Sequence, residues 1–168
     1  MSRDKHPTRR RRTPTASTYS LVHELMASNT QPMPATLRTH QLSRMYGGLR
    51  AMETAPNPGK DDWRVVSDAV NLMETLVVNM QICEDASGLL LDAVTALALA
   101  GKRHVAGQHL RLDALGIQAT RAVLEDYAAV LATLPHRTMV RCHRLTEQRI
   151  QAIFAGRAQA HDVEVVTL

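Results

Sequence analysis

The chain has 168 residues, of which 45% are hydrophobic and 3% aromatic, and its formal net charge is +4 at pH 7. At this length we expect one sizeable core and therefore one domain. A composition dominated by Ala, Leu, Val and Met favours helices over a β-sandwich. Two cysteines, Cys83 and Cys142, do not make a disulfide framework in a chain of this size.

No segment of the sequence indicates export or membrane insertion. The apolar stretch LVHELM after the basic N-terminus is short and contains His23 and Glu24, unlike the core of a secretory signal. The longest apolar run, GLLLDAVTALALA, is interrupted by Asp92 and is too short to cross a bilayer. We therefore expect a cytoplasmic protein with no membrane partner.

Positive charge is concentrated towards the two ends of the chain. Residues 1–12 hold six Lys/Arg and one Asp, and residues 134–157 hold five Lys/Arg and one Glu. Residues 13–133 hold nine Lys/Arg against twelve acids. Because Lys and Arg release counterions from the phosphates that they neutralise, both basic regions are candidates for binding a polyanion.

The pattern of residues along the chain predicts three segments. Residues 1–15 combine Arg, Lys, Thr and Pro without apolar periodicity, which predicts a disordered basic arm. Residues 16–157 are expected to form the helical domain, and residues 158–168 a short C-terminal tail. The tail alternates weakly, a pattern compatible with one short edge strand paired with residues 109–112.

The first two helices are expected over residues 17–27 and from Pro34 to about Thr54. In the first, Leu21, Val22 and Leu25 share one face. Proline is well placed at the first turn of the second. Gly47 and Gly48 weaken the middle of the second helix, which indicates a close crossing or a bend there.

The third helix carries the clearest pattern, an a/d seam that must face another helix. Its members are Trp63, Val66, Val70, Met73, Val77 and Met80. Asp61 or Asp62 can cap its start. A fourth helix, capped by Asp85 or Ser87, is apolar on most of its surface and is expected to be the most buried.

Two further helices complete the prediction, which is an all-α bundle of about five helices. The fifth ends before Pro135. The last spans RTMVRCHRLTEQRIQAIFAGR, residues 137–157. A projection at 100° per residue places its apolar side chains on one broad side, with Arg141 and Arg144 opposite and Arg149 at the border. Only the outer side of this helix would be available for binding.

Two groups of arginines are the candidate nucleic-acid contacts. Guanidinium groups donate several hydrogen bonds to phosphates and base edges, so Arg141, Arg144 and Arg149 are candidates on the last helix. The arm contributes Arg9, Arg10, Arg11 and Arg12. The alternative for the helix is a solvated charged face that binds no ligand.

Residue types that bind metals or catalyse reactions do not form recognisable motifs. His136, Cys142 and His143 invite a metal hypothesis, but neither a CxxC nor an HxxxH spacing is present. Both Gly-Lys pairs lack the other residues of a phosphate-binding loop. We therefore expect no metal, no cofactor and no enzymatic activity, although a catalytic function stays open.

One part of the sequence resembles a known group of proteins. The segments GGLRAMETAPNPGKDDWRVVSDAVNLMETLV, GLLLDAVTALALAGKRH and LRLDALGIQATRAVLEDYAAVL are similar to small helical proteins of phages and integrated elements of proteobacteria. The shared marks are Asp62 and Trp63 at a helix start, A-[LV]-N at residues 69–71 and LDAL at residues 112–115. Some members are labelled Fis-like transcriptional regulators. Because the similar proteins are encoded by phages and integrated elements, the resemblance implies a mobile-element setting.

Two functions remain open from the sequence. The first is a non-enzymatic regulator that binds DNA, or RNA, through the arm and the last helix. The second is a helical adaptor or inhibitor that docks on a host or phage protein complex, because the methionine-rich seam could belong partly to a partner or homodimer surface.

Overall fold

A computed structural model of the chain describes residues 18–157. The predicted arm (residues 1–15) and tail (residues 158–168), with Arg9, Arg10, Arg11 and Arg12, lie outside the described residues. The described part contains six α-helices, α1 (Leu21–Met26), α2 (Ala35–Thr54), α3 (Lys60–Glu74), α4 (Leu90–Val105), α5 (Ala114–Thr133) and α6 (His136–Phe154). One π-helical turn, Thr75–Asn79, extends α3.

The all-α prediction is confirmed. The described residues form six α-helices, where about five were expected. Between residues 18 and 157 no strand forms, so the strand considered for residues 109–112 is not present there. The Leu110 and Leu112 side chains of this segment are instead buried in the core.

Helix α3 lies at the centre of the bundle and packs against α2, α4, α5 and α6. The seam predicted from the sequence faces inward, because Trp63, Val66, Val70 and Met73 are all almost fully buried. The Trp63 indole N–H donates to the Leu97 carbonyl oxygen at 3.1 Å. The Trp63 side chain therefore links α3 to α4, because it is buried between them and its indole N–H is hydrogen-bonded.

The expectation that the fourth helix would be the most buried is wrong. In α4, Leu91 and Leu99 are exposed, whereas α3 buries residues on most of its surface, including the polar Ser67 and Asn71. The apolar composition of α4 does not make it the most buried helix, because burial depends on the number of neighbouring helices. Helix α3 packs against four helices and α4 against two. Neither Asp85 nor Ser87 is the N-cap residue of α4, which is Leu89 without a side-chain cap. The Asp85 carboxylate still accepts from the Leu90 backbone N–H at 3.0 Å.

Glycines allow the closest approaches between helices. A Cβ added at Gly48 would lie 2.8 Å from the Asp62 carbonyl oxygen and 3.3 Å from the Val66 side chain. The close crossing predicted at the glycine pair is therefore confirmed, and it joins α2 to α3. At Gly47 a Cβ would meet no atom within 4 Å.

Candidate functional site

Helix α1 contacts two of three arginines that share one face of α6. Arg137, Arg141 and Arg144 recur at helical spacing on one face of α6, and α1 packs against this helix. The Arg137 guanidinium donates to the Leu25 carbonyl oxygen at 2.9 Å and to the Ala27 carbonyl oxygen at 3.0 Å. These carbonyls at the end of a short helix have few internal partners, and a cation there stabilises them.

Arg144 is held by a carboxylate of α1. Its Nε and Nη2 atoms donate to one oxygen of Glu24 at 2.9 and 2.8 Å. The Arg144 and Glu24 side chains are only 21% and 14% exposed. This predicted phosphate contact is therefore already engaged in a charge-assisted pair within the bundle.

Arg149 is held in the same way by the end of α3. Its Nη2 atom donates to Glu74 at 2.5 Å, and the two side chains are 19% and 18% exposed. Arg141 differs from both, because it is exposed and forms no ion pair with any residue between 18 and 157. Of the three arginines predicted on the last helix, only Arg141 presents its charge to solvent unpaired.

Helix α1 has its polar side inward and its apolar side outward. Leu21, Val22, Leu25 and Met26 are 56%, 61%, 64% and 82% exposed, and no α1 residue is buried. The sequence correctly grouped Leu21, Val22 and Leu25 on one face. That face points to solvent because the opposite side of α1 contacts α6. On that side, Glu24 and the last carbonyl oxygens of α1 bind the α6 arginines. We call these four exposed side chains the α1 apolar face.

A cleft that the sequence did not predict lies among α2, α3 and α6, beside Thr18 and Tyr19. Its volume is about 420 Å³, within the range typical of small-molecule sites. Part of the lining is apolar, with Met33, Leu37, Val65 and Ile150 among its members. The polar lining residues include His40, Gln41, Arg44, Asp68, His143 and Glu147.

His143 contributes a buried nitrogen to the cleft. Its Nε2 atom has no hydrogen-bond partner among the described residues. Desolvation lowers the pKa of His143 to about 4, although Glu147 opposes the shift. The Tyr19 ring lies 5.0 Å from the His143 ring, and the Thr18 backbone N–H donates to Glu147 at 3.0 Å. The segment before α1 thus covers one side of the imidazole.

Asp68 faces the cleft from α3. Its side chain still meets solvent, yet the surrounding protein desolvates the carboxylate enough to raise its pKa to about 6, despite the opposing charges of Arg64 and Arg44. It forms no hydrogen bond or ion pair with another residue between 18 and 157. Gln41, also in the cleft, donates to the buried Tyr127 hydroxyl at 2.6 Å.

The His and Cys residues of α6 form no metal site with other described residues. Within residues 18–157, no three His, Cys, Asp or Glu side chains are placed to hold a metal ion. Cys142 is a buried thiol that donates to the Leu72 carbonyl oxygen at 3.4 Å, and burial raises its pKa to about 12. None of the helices in this part of the chain combines the length and apolarity that a bilayer crossing requires.

Comparisons with known proteins add no assignment. No protein-family model, curated protein or solved structure matches this chain. The resemblance to mobile-element proteins therefore stays a prediction.

Proposed function

We propose that this chain is a non-enzymatic docking protein that binds a partner protein through the α1 apolar face. The observation that carries the proposal is the outward orientation of Leu21, Val22, Leu25 and Met26. A contiguous apolar patch on a soluble protein commonly marks an interaction surface. Single exposed apolar residues need no such explanation, but here every apolar side chain of one helix is exposed.

The anchoring of α1 supports this proposal. Two arginines of α6 bind its carboxylate and its carbonyls, so the helix is fixed by polar contacts on one side. Burial of its apolar side chains is not what holds it in place. An apolar helix face held by polar contacts is already positioned to enter a groove on another protein, which reduces the ordering cost of binding.

The charge beside the patch indicates the chemistry of the partner. Arg141 lies between Arg137 and Arg144 on the α6 face that α1 contacts, and it is exposed without an ion pair to any described residue. A partner surface with an apolar groove edged by carboxylates complements this arrangement. In the mobile-element setting, such a partner would be a host or phage protein complex, which the chain would engage as an adaptor or inhibitor.

The test compares two aspartate substitutions at exposed leucines. Leu25→Asp places a charge in the α1 apolar face, and Leu115→Asp is the matched control at the start of α5, where the leucine is 76% exposed. Tagged full-length chains are used to recover proteins from the organism that encodes them, after unfolding experiments show equal stability. We expect at least one bound protein to be lost about tenfold or more with Leu25→Asp and retained with Leu115→Asp.

Two outcomes contradict the proposal. Recovery that is the same for both variants removes α1 as the docking surface. A homodimer in light scattering that Leu25→Asp dissociates would show that a second copy of the chain, and not a different protein, covers the patch.

A second proposal, nucleic-acid binding, is supported by the sequence charge and by one surface residue. Arg9, Arg10, Arg11 and Arg12 lie outside the described residues, and Arg141 is exposed. If these five cations each neutralise a phosphate, log K falls with log salt with a slope of about −4 to −5. A gel-shift titration at increasing salt tests it, and an absence of binding at low salt rejects it.

A further inference from the structure

We propose that the region joining α4 to α5 contacts the phosphate backbone of a nucleic acid through Lys102, Arg103 and Arg111. We call these three residues the α4–α5 cations. The inference rests on the nucleic-acid proposal above and adds a contact surface to it. The charge pattern of the sequence did not indicate this surface, because residues 13–133 hold fewer Lys/Arg than acids.

Carbonyl groups hold two of the α4–α5 cations in place. The Arg103 Nη2 atom donates to the Arg111 carbonyl oxygen at 2.6 Å, and the Arg111 Nη2 atom donates to the Ala55 carbonyl oxygen at 3.3 Å. A guanidinium has several N–H donors, so each side chain keeps donors for a second acceptor. A carbonyl oxygen has no formal charge to neutralise the arginine. Both arginines are therefore ordered with their positive charge intact, which lowers the ordering cost of binding a phosphate.

The packing of helix ends brings these residues to one end of the bundle. A Cβ added at Gly101 would lie 3.1 Å from the Trp63 ring, so the end of α4 lies beside the start of α3. Arg111 reaches Ala55, the residue that follows α2. The α4–α5 cations are all exposed at this end.

Two carboxylates in this region are paired with other arginines. Glu53 accepts from the Arg121 guanidinium at 2.7 Å. Asp61 lies 3.5 Å from the Arg64 guanidinium. Neither acid is an ion-pair partner of the α4–α5 cations.

The other two carboxylates of this region cap helices. Asp62 accepts from the Gly59 backbone N–H at 2.9 Å, and Asp113 accepts from the Gly116 backbone N–H at 2.7 Å. Between residues 18 and 157, no carboxylate oxygen lies within 4 Å of an α4–α5 cation. The α4–α5 cations and Lys60 give four positive charges against these two capping carboxylates, which leaves a surplus of +2.

A role in helix stability explains only part of this cluster. Lys102 and Arg103 lie in the last turn of α4, where cations stabilise the helix C-terminus. Arg111 instead precedes α5, and the N-terminus of a helix favours anions. A phosphate would offset the repulsion between Arg111 and Arg103, and arginine suits it because the guanidinium can donate two parallel hydrogen bonds to a phosphate.

The probes are a labelled mixed-sequence DNA duplex and the RNA duplex of the same sequence. Fluorescence anisotropy measures their affinity for the full-length chain at salt concentrations from about 50 to 200 mM. Lys102→Gln removes a charge that has no ion pair with a described residue. We expect Lys102→Gln and Arg111→Gln each to reduce the salt slope by about 1 and to weaken binding about five- to tenfold at about 0.1 M salt.

Two further variants separate a phosphate contact from a structural role. Arg111→Lys keeps the charge and should retain the salt slope, whatever the loss of its hydrogen bond to Ala55 does to stability in urea unfolding. Arg38→Gln is the matched control near the start of α2, about 25 Å along the helix from Ala55 and beyond the screening length of about 8 Å. This control should leave the slope unchanged.

Failure of this inference can be distinguished from failure of the nucleic-acid proposal. If the unsubstituted chain binds neither duplex at low salt, both are rejected. If it binds but Lys102→Gln and Arg111→Gln leave the slope unchanged, or Arg38→Gln lowers it equally, only the α4–α5 surface is rejected. Displacement of the duplex by polyglutamate as effective, charge for charge, as displacement by unlabelled duplex would overturn the preference for phosphate.

Discussion

Arg144 on α6 donates two hydrogen bonds to a single carboxylate oxygen of Glu24 on α1, at 2.8 and 2.9 Å. The two residues are 120 positions apart in the sequence, and their pairing fixes the first helix of the described chain on the basic face of the last. Two of the three arginines predicted as phosphate contacts on the last helix, Arg144 and Arg149, therefore form ion pairs within the fold instead. The apolar side of α1 is exposed as a consequence.

The glycine pair in α2 predicts opposite effects for two similar substitutions. Gly48→Ala should destabilise the fold by about 1–3 kcal/mol, because the new Cβ would overpack the contact with the Asp62 carbonyl. Gly47→Ala should stabilise it by about 0.5–1 kcal/mol, because alanine favours a helix interior and this site is open. Urea unfolding measures both, and changes of the same sign would contradict the close crossing.

Asp68 predicts a pH-dependent difference in stability. Its pKa is about 6 in the folded chain, above the usual value of 3.8, so the folded state favours the protonated form. Its stabilising contribution is fully present below about pH 4 and is lost as the pH rises through 6. Asp68→Asn should therefore stabilise the protein by about 1 kcal/mol at pH 8, a value reduced for solvent screening, and by almost nothing at pH 4. A difference that does not change with pH contradicts the desolvation of this carboxylate.

Substitutions of two α6 arginines should have different effects on nucleic-acid binding and on the stability of the fold. If the chain binds DNA, Arg141→Gln should reduce the salt slope by about 1, because one phosphate contact is lost. Arg149→Gln should leave the slope unchanged and destabilise the fold by about 1–3 kcal/mol, because it leaves Glu74 without its partner. Gel shifts and urea unfolding of the same variants measure both quantities. A lower slope with Arg149→Gln would show that this arginine exchanges its carboxylate for a phosphate.

Helix positions were predictable from the sequence because periodicity and helix-breaking residues are local signals. The Trp63 seam and the Gly48 crossing both follow from residues within one or two helices. The periodicity of α1 was also correct. Its orientation was not predictable, because a helix of six residues has too little apolar surface to dictate burial when distant arginines bind its other side.

The cleft could not be predicted for a similar reason. Asp68 follows Arg64 by one helical turn and looks like an ordinary member of a solvated charged face. His143 appeared only in a metal hypothesis. The two residues are brought to one cleft by the packing of α3 on α6, and neither spacing nor composition encodes that packing directly.

A double-mutant cycle on Glu24 and Arg144 tests directly whether this pair holds α1 on α6. Hydrogen exchange at the Ala27 amide, which donates to the His23 carbonyl oxygen at 3.1 Å, reports the free energy of opening α1. Measured for Glu24→Gln, Arg144→Gln and the double variant, it should give a coupling of about 1–2 kcal/mol, with no change for Arg141→Gln. A coupling of zero would mean that α1 does not depend on this pair and that Arg144 is available to other ligands.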